Sequence, residues 1–345
     1  MGATRIIPVD EEERFNPEIL FSTKDRWRLL PTREMRIVAL TEAMLLKGAR
    51  DYLVNNGFIE IISPHVTKAT GACENIATMF ELNYFGQRAY LSQTGQLYLE
   101  AMALFLGKVW TIIQSFRAEP EVDNRHLAEF TLIELEFLGG LKQLLGHIEG
   151  IITNMVKEAL NLEDEYKKLG IEVERLYDIK PPFERITYTE AVELLSDMGI
   201  KWGDDLKSVH EKAIVERLGN KPVLVTHYPK AIKFFNMREN DYNPEIVNSV
   251  DLLLPLSGEA VGGAEREYVY GNLLRRLLES QMLRLLIERG GGIEDFDWYL
   301  NIYRTFGGRL HSGCGIGLNR VTQFVLGLKD IRGTTIFPLN KESLM

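Results

Sequence analysis

Two stretches of alternating apolar and polar residues, joined by a charged loop, place the strongest constraint on how this chain folds. They read "VWTIIQSFRAE" over residues 109–119 and "FTLIELEF" over 130–137. Alternation of this length is typical of half-buried strands, and two such strands in close succession favour an antiparallel pair. Glu134 and Glu136 then share one face of the second strand. We therefore predict a sheet with one apolar face and one charged face; the charged face lines either a polar cleft or bulk solvent.

The segment "RAEPEVDNRHLAE", which runs from the end of the first strand through the loop to the second, carries charge of a kind suited to phosphate. Arg117 and Glu119 lie two residues apart, so on a strand that continues past Phe116 their side chains project from the same face. An arginine keeps its charge and presents paired donors that match phosphate oxygens. The loop therefore predicts an anion-binding element at the end of the sheet.

A second cluster is the glycine-rich segment "GCGIGLNR" near the end of the chain. Gly313, Gly315 and Gly317 alternate, so one face of this strand is bare and can accept a flat ring or the close approach of another element. Arg320 follows in the first turn of the next predicted helix. The spacing is not that of a dinucleotide-binding loop, and no βαβ unit accompanies it, so a dinucleotide fold is disfavoured.

The third cluster, "DLLLPLSGEAVGGAERE", combines two acidic residues with paired glycines. Asp251 and Glu259 supply the hard oxygen ligands that Mg²⁺ takes alongside phosphates. Each acid alone is more often a surface residue than a ligand, so spacing by itself does not decide between the two.

The remaining sequence indicates an α+β fold, because predicted helices alternate with mostly antiparallel strands. We expect an N-terminal arm over residues 1–25 and a single large domain over 26–345, with an inserted subdomain at about 161–222, where the chain is more charged and less regular. A leucine-rich stretch at 272–292 predicts one helix that ends at a run of glycines.

Composition limits the functional classes. The 345 residues carry a formal net charge of −9, which gives no support for a broad nucleic-acid-binding surface. Cys73 and Cys314 are far apart, so a disulfide framework or zinc site is disfavoured and a reducing cytoplasm is expected. No apolar run approaches the length of a membrane span.

The first two clusters, together with an earlier segment that ends at Pro64, resemble the three motifs of class II aminoacyl-tRNA synthetases of the aspartate, asparagine and lysine subgroup. "GFIEIISP", ending at Pro64, is similar to motif 1; "FRAEPEVDNRHLAEF" is similar to motif 2; "GIGLNR" is similar to motif 3. The resemblance extends from about Asp25 to Pro338. It implies an antiparallel β-sheet flanked by helices, an ATP-dependent ligase that forms an amino-acid adenylate, and a homodimer through motif 1.

The resemblance also implies a role for individual residues. Motif 2 would hold the α-phosphate of ATP through Arg117, the outer phosphates through Arg125 and His126, and adenine between Phe130 and Arg320. The implied sets are Arg117, Glu119, Arg125, His126, Phe130, Glu259 and Arg320 for ATP, with Arg117 and Arg320 catalytic; Glu74, Gln96 and Arg266 for the amino acid; and Asp251 and Glu259 for Mg²⁺.

The predicted substrate is asparagine or a close amide analogue. The aspartate enzymes place a lysine after a "QLY" triplet, and here that position is Leu99. Without this cation a buried substrate carboxylate would lack a partner. The segment "GEAVGGAERE" is also similar to the asparagine enzymes, which supports the same choice.

The acceptor is the most open part of the prediction. The stretch ahead of Asp25 is too short for the anticodon-binding barrel of full synthetases, which favours transfer to a small non-tRNA acceptor and leaves tRNA as the less favoured partner. Three alternatives are a reduced asparaginyl-tRNA synthetase that charges tRNA, an asparagine synthetase that uses aspartate and ammonia, and a non-catalytic nucleotide-binding regulatory paralogue.

Overall fold

The predicted strand pair lies inside a large mixed sheet. A computed structural model describes residues 15–69 and 78–343 of the chain. In this part of the chain the strands are β1 (Ile59–Glu60), β2 (Val66–Thr67), β3 (Glu81–Tyr84), β4 (Gln87–Leu91), β5 (Lys108–Phe116), β6 (Glu129–Phe137), β7 (Glu184–Thr187), β8 (Val223–Thr226), β9 (Ser249–Leu254), β10 (Gly258–Glu265) and β11 (Ser312–Gly317). Eight of them form one sheet in the order β1-β5-β6-β11-β10-β9-β8-β7, and the other three form a small antiparallel sheet in the order β2-β4-β3.

The large sheet is antiparallel except at its two edges, where β1 pairs with β5 and β7 with β8 in parallel. The helices of the described ranges are α1 (Arg33–Asn55), α2 (Gln96–Leu106), α3 (Leu141–Ala159), α4 (Glu163–Leu169), α5 (Glu174–Tyr177), α6 (Tyr188–Leu194), α7 (Ser208–Arg217), α8 (Tyr270–Glu279), α9 (Gln281–Glu288), α10 (Asp297–Phe306) and α11 (Leu318–Leu326). None of these described helices is long and apolar enough to cross a membrane.

The two faces of the sheet differ as the alternation predicts. One face packs with α1, α3 and α11 into a single hydrophobic core, which contains Ile133, Leu135 and Phe137 of β6 and Ile316 of β11. Burial of this apolar surface is the main force that holds the helices on the sheet. The opposite face carries Glu134 and leads to a large cavity. The fold is thus the predicted α+β architecture, an antiparallel-dominated sheet flanked by helices.

Two local predictions were wrong. The segment 272–292 is not one helix: Ser280 is extended, ends α8, and caps α9 by accepting the Leu283 amide at 3.1 Å. A serine hydroxyl competes well for backbone amides, which favours a helix start over a helix interior. Strand β5 also ends at Phe116, so Arg117 and Glu119 lie just beyond the strand. The amide of Ala118 leaves the ladder and donates to the Thr78 carbonyl.

Both segments named in the domain prediction pack on the sheet. Beyond the N-terminal residues that lie outside the described ranges, Leu20 is fully buried and belongs to the main core. In 161–222, β7 and β8 extend the large sheet, while α6 and α7 contribute to a separate hydrophobic cluster. Division of the chain into an arm and a domain with an inserted subdomain stays a prediction.

Candidate active site

A cavity of about 910 Å³ lies over the polar face of the large sheet and collects nearly all of the predicted site residues. Glu119 is half-buried and stands outside the lining, because the chain has already left β5 at that point. Glu74 lies outside the described residues. The predicted residues that line the cavity are Gln96, Arg117, Arg125, His126, Phe130, Asp251, Glu259, Arg266 and Arg320.

The glycines of β11 make room for the glutamates of the neighbouring strand. Gly313 pairs with Glu136 and Gly315 with Glu134 in the register of β11 and β6. A β-carbon at Gly313 would overlap the Glu136 carboxylate, and one at Gly315 would stand 3.5 Å from a Glu134 oxygen. Gly315 and Gly317 line the cavity, so the bare surface predicted from the sequence is present there, whereas Gly313 is covered by Glu136.

Three arginines converge on one part of the cavity. Arg320 donates to the carbonyl oxygens of Arg125 at 2.9 Å and Ser257 at 3.0 Å, and so ties the motif 2 loop to the turn before β10. Burial, reinforced by the charge of Arg125, lowers the pKa of Arg320 to about 10. The Arg117 guanidinium lies 5.2 Å from the centre of the Phe130 ring. Positive charge is therefore crowded here, which suits a polyanion.

The motif 2 loop is ordered by its own aspartate. Asp123 accepts the amides of Arg125 and His126, both at 2.8 Å, and lies 2.7 Å from His126 Nδ1. Burial would raise the pKa of Asp123, but the Arg125 amide and the His126 side chain lower it below the usual value. Asp123 thus fixes the backbone from which Arg125 and His126 reach into the cavity.

The predicted metal ligands share a face only because β10 contains a bulge. Asp251 lies opposite Gly262 in the pairing of β9 with β10, and the register shifts between Glu259 and Val261. Without the shift, Glu259 would project from the face opposite Gly262, since the two are three residues apart. A β-carbon at Gly262 would lie 3.1 Å from Glu259 Oε1 and 3.7 Å from Asp251 Oδ1.

A lysine that sequence reasoning missed also reaches this acidic pair. Lys233 Nζ lies 2.7 Å from Asp251 Oδ2 and 4.0 Å from the centre of the Tyr228 ring. No group of three or more histidine, cysteine, aspartate or glutamate side chains within the described ranges is arranged to hold a metal unaided. A pair of carboxylates fits Mg²⁺ that arrives with phosphates, which supply the other ligands.

The opposite end of the cavity is a buried charge network around Arg266. Arg266 Nε lies 3.3 Å from Glu136 Oε1 and 3.6 Å from Glu100 Oε1, and all three side chains are almost fully buried. Burial alone would lower the pKa of Arg266, but Glu136 and Glu100 raise it. For Glu100 the effects are reversed: burial would raise the pKa, but the hydrogen bond with His311 and the charge of Arg266 lower it below the usual value. Burial raises the pKa of Glu136 to about 7.

Further donors complete the network at Glu100. Its carboxylate accepts from Gln96 Nε2 at 2.7 Å, Asn236 Nδ2 at 2.7 Å and the Tyr299 hydroxyl at 2.5 Å. Gln96 and Glu100 are four residues apart on α2 and so lie on the same side of the helix. The hydrogen bond to Glu100 therefore fixes the side chain of Gln96, which lines the cavity.

Leu99 also lies on α2, three residues after Gln96. It is buried in a small apolar cluster with Ala103 and Val109, and it does not line the cavity. Leu99, which stands where the aspartate enzymes carry a lysine, is thus a packing residue in this chain.

Glu134 is a cavity-lining acid whose role sequence reasoning left open. It accepts the Gly95 amide at 2.6 Å and a hydrogen bond from the Thr94 hydroxyl, just ahead of Gln96. Burial raises the pKa of Glu134 to about 7. The alternation of β6 already placed this residue on the polar face, whereas nothing in the local sequence marked Glu100 or Lys233.

Together, the sheet, the three arginines and the acidic pair form a site whose charges suit a nucleoside triphosphate beside a small polar substrate. The family described as "tRNA synthetases class II (D, K and N)" matches residues 19–341. The chain belongs to this family. It is an ATP-dependent ligase that forms an aminoacyl-adenylate, with AMP and pyrophosphate as products.

Individual relatives narrow the comparison. The asparagine–tRNA ligase of Pyrococcus abyssi is 38% identical over 339 residues, which cover 96% of this chain and 74% of that protein. That of Thermococcus kodakarensis is 39% identical over 323 residues, or 90% of this chain and 71% of that protein. The crystal structure of Pyrococcus horikoshii asparaginyl-tRNA synthetase complexed with asparaginyl-adenylate superposes with a TM-score of 0.87 at 35% identity, over 99% of this chain and 77% of that one.

Proposed function

We propose that this chain activates asparagine with ATP and transfers it to tRNA. The observation that carries the proposal is the convergence of motif 2, motif 3 and the acidic pair on one cavity, in a chain whose relatives at 37–39% identity are asparagine–tRNA ligases. In the first step the asparagine carboxylate attacks the α-phosphorus, the bond to the β-phosphate oxygen breaks, and pyrophosphate leaves. In the second step an acceptor hydroxyl attacks the acyl carbon and AMP leaves.

The charge network around Arg266 supports asparagine over aspartate. Glu136 and Glu100 already lie within 3.6 Å of Arg266, so this cation has little unbalanced charge left for a substrate carboxylate. A neutral amide can accept a hydrogen bond from Arg266 without adding a third negative charge. Burial of that extra charge would be unfavourable unless it were fully paired. The asparagine synthetase alternative, which requires aspartate, is therefore disfavoured.

The activation step needs positioned charge more than a base, because the attacking carboxylate is already ionised. We assign Arg117 to the α-phosphate, Arg125 and His126 to the outer phosphates, and Phe130 with Arg320 to adenine. The cluster of cations would stabilise the charge that develops on phosphate oxygens in the transition state. Glu134, a buried acid in the lining next to Gln96, suits the substrate ammonium group. Glu74 remains a proposed amino-group contact, and Glu119 a proposed neighbour of adenine.

Asp251 and Glu259 are the proposed Mg²⁺ ligands. Both carboxylates face Gly262, where the missing β-carbon leaves space between them. Bound Mg²⁺ would neutralise phosphate charge during displacement. Lys233 holds Asp251 at 2.7 Å and would keep this acid in position before the metal–nucleotide complex binds.

The comparisons favour tRNA as the acceptor and give no support to the non-tRNA acceptor predicted from the sequence. The named relatives are tRNA ligases, and the alignment covers 74% of the P. abyssi protein. The prediction of a small acceptor rested on the short stretch ahead of Asp25, which says nothing about how an acceptor end would enter the cavity.

A two-part assay tests the proposal. Pyrophosphate exchange into ATP is measured with each amino acid, and asparagine is expected to support it far better than aspartate. Labelled asparagine is then offered with tRNA, with ammonia or with hydroxylamine. Stable label on tRNA supports the proposal; exchange with aspartate alone, or product with ammonia but none with tRNA, contradicts it.

We also propose a homodimer through the motif 1 region. Ile62 is 99% exposed and Ile59 is 48% exposed, next to the edge strand β1 and Pro64. Apolar side chains that protrude this far are typical of association surfaces. Light scattering at micromolar concentration should give twice the chain mass, and a monomer would contradict the dimer.

A further inference from the structure

Glu211 is an acid in the cavity lining that lies outside the three motifs and outside the segment that supplies Asp251 and Glu259. Glu211 lies on α7, within the 161–222 segment, and only 7% of it is exposed. It lines the cavity beside Arg125, Glu259 and Arg320. A carboxylate so close to a proposed polyphosphate site would repel the ligand unless it served another group there.

The contacts of Glu211 show which groups it serves. Its Oε2 lies 3.0 Å from Arg125 Nη2 and accepts the backbone amide of Glu259 at 3.3 Å. A single oxygen thus joins the arginine proposed for the outer phosphates to the backbone of a proposed Mg²⁺ ligand. The backbone leaves room for this oxygen at Gly258, which has φ +71°, because a β-carbon there would overlap the Glu211 carboxylate.

We propose that Glu211 is a positioning residue for the outer phosphates of ATP. The inference rests on the proposed function, and it names a residue that acts through Arg125 and does not itself touch the reacting atoms. Glu211 holds one nitrogen of Arg125, and because a guanidinium has five donors, the others stay available to phosphate oxygens.

Electrostatics explains why such a partner is needed. Arg125 and Arg320 are neighbours of like charge, and the charge of Arg125 contributes to the lowered pKa of Arg320. Glu211 acts in the opposite direction and favours the charged form of Arg320. Without Glu211, repulsion within the arginine cluster would move the side chain of Arg125, which is 29% exposed, toward solvent. The Arg125 side chain would then have to return from solvent to the site each time ATP binds, and this ordering would weaken binding.

The inference predicts a selective loss that depends on the ligand. ATP and pyrophosphate carry the phosphates that Arg125 would contact, whereas AMP has only the α-phosphate. Glu211→Gln keeps the size of the side chain and an acceptor for the Glu259 amide, but it removes the charge. We expect it to weaken ATP and pyrophosphate binding about tenfold, the scale of one charge-assisted hydrogen bond, and to leave AMP and asparagine binding unchanged.

Titration calorimetry of the full chain with ATP, pyrophosphate and AMP tests this directly. Glu216→Gln is the matched control, because Glu216 lies on the same helix, is exposed, and pairs only with Lys212 among the ion pairs described. A second test places Glu211→Gln in an Arg125→Gln background, where the additional loss should disappear if Glu211 acts through Arg125.

Three outcomes would overturn the inference: equal weakening of all three ligands, which indicates a general structural role; no weakening; or tighter ATP binding, which means that Glu211 competes with phosphate. Failure of the proposed function is seen separately. If wild-type protein binds ATP but activates no amino acid, the proposed function is rejected, and the calorimetric comparison still decides the role of Glu211.

Discussion

The two ends of the cavity use arginine in opposite ways. Around Arg266, two buried carboxylates raise the pKa of the guanidinium and balance its charge within the protein. Around Arg320, the direct hydrogen-bond partners are backbone carbonyls, and burial beside Arg125 lowers the pKa to about 10. The Arg266 end, which we propose takes the amino acid, therefore has its charge balanced within the protein, whereas the Arg320 end, which we propose takes ATP, holds cations that phosphate oxygens would stabilise. Under this proposal, selectivity for the amino acid and neutralisation of phosphate charge belong to different ends of one cavity.

The largest effect is expected where charge is least balanced. Arg320→Gln should lower the rate of asparagine-dependent pyrophosphate exchange about 10²–10³-fold, because the site loses a stabilising cation and the loop that carries Arg125 loses its tie to Ser257. Arg320→Lys keeps the charge and should recover part of the activity. A near-normal rate for Arg320→Gln would contradict the view that the Arg320 end of the cavity stabilises phosphate charge.

A third arginine sharpens the contrast, because its donors are all used inside the protein. Arg26 is 1% exposed and donates to five backbone carbonyls, those of Leu20, Ser22, Arg332, Thr335 and Ile336. Arg26→Met should lower the free energy of unfolding by about 2–4 kcal/mol, since buried carbonyls lose their partner, while the KM for ATP stays unchanged. Chemical denaturation measures the first quantity. Arg28→Met, at an exposed neighbour, is the control; a loss of stability equal to that of the control would contradict the prediction.

Selectivity at the balanced end should respond to the removal of one negative charge. Glu100→Gln leaves Arg266 with Glu136 as its acidic partner, so a substrate carboxylate becomes easier to accommodate. We expect the ratio of kcat/KM for asparagine to that for aspartate to fall about tenfold. This is the change that a shift of about one pKa unit in interaction free energy would produce. An unchanged ratio in a folded variant would show that Arg266 does not sense the substrate side chain.

The smallest effect concerns pH. Burial raises the pKa of Glu134 to about 7, against the opposing effects of Thr94, the Gly95 amide and Arg266. The substrate ammonium group binds the ionised form of Glu134. Below about pH 7 the Glu134 carboxyl must therefore lose a proton before asparagine binds, which weakens binding. The KM for asparagine should therefore rise about threefold as the pH falls from about 7.5 to 6.5. Glu134→Gln should abolish the pH dependence; if the dependence persists, Glu136, whose pKa is also about 7, is responsible.

Much of the fold followed from local pattern, because alternation and helical periodicity reflect which side of each element is buried. The strands β6 and β11 appear where the sequence predicts them, and β5 does so up to Phe116. The single helix predicted over 272–292 is instead two helices, α8 and α9, because Ser280 ends the first and caps the second despite the continuous leucine pattern. Of the cavity-lining acids, Glu134 was placed on the polar face by alternation alone.

The sequence by itself determined the two-faced sheet, the order of the motifs and the residue types that suit a triphosphate, since these depend on chemistry carried by neighbouring residues. Tertiary structure alone decided that a bulge turns Glu259 toward Asp251, that Lys233 reaches this acid, and that Glu211 meets Arg125 from 86 residues away. The physical reason is the range of the interactions. Burial imposes a period that can be read along the chain, whereas charges pair according to distance in space, which only the folded packing sets.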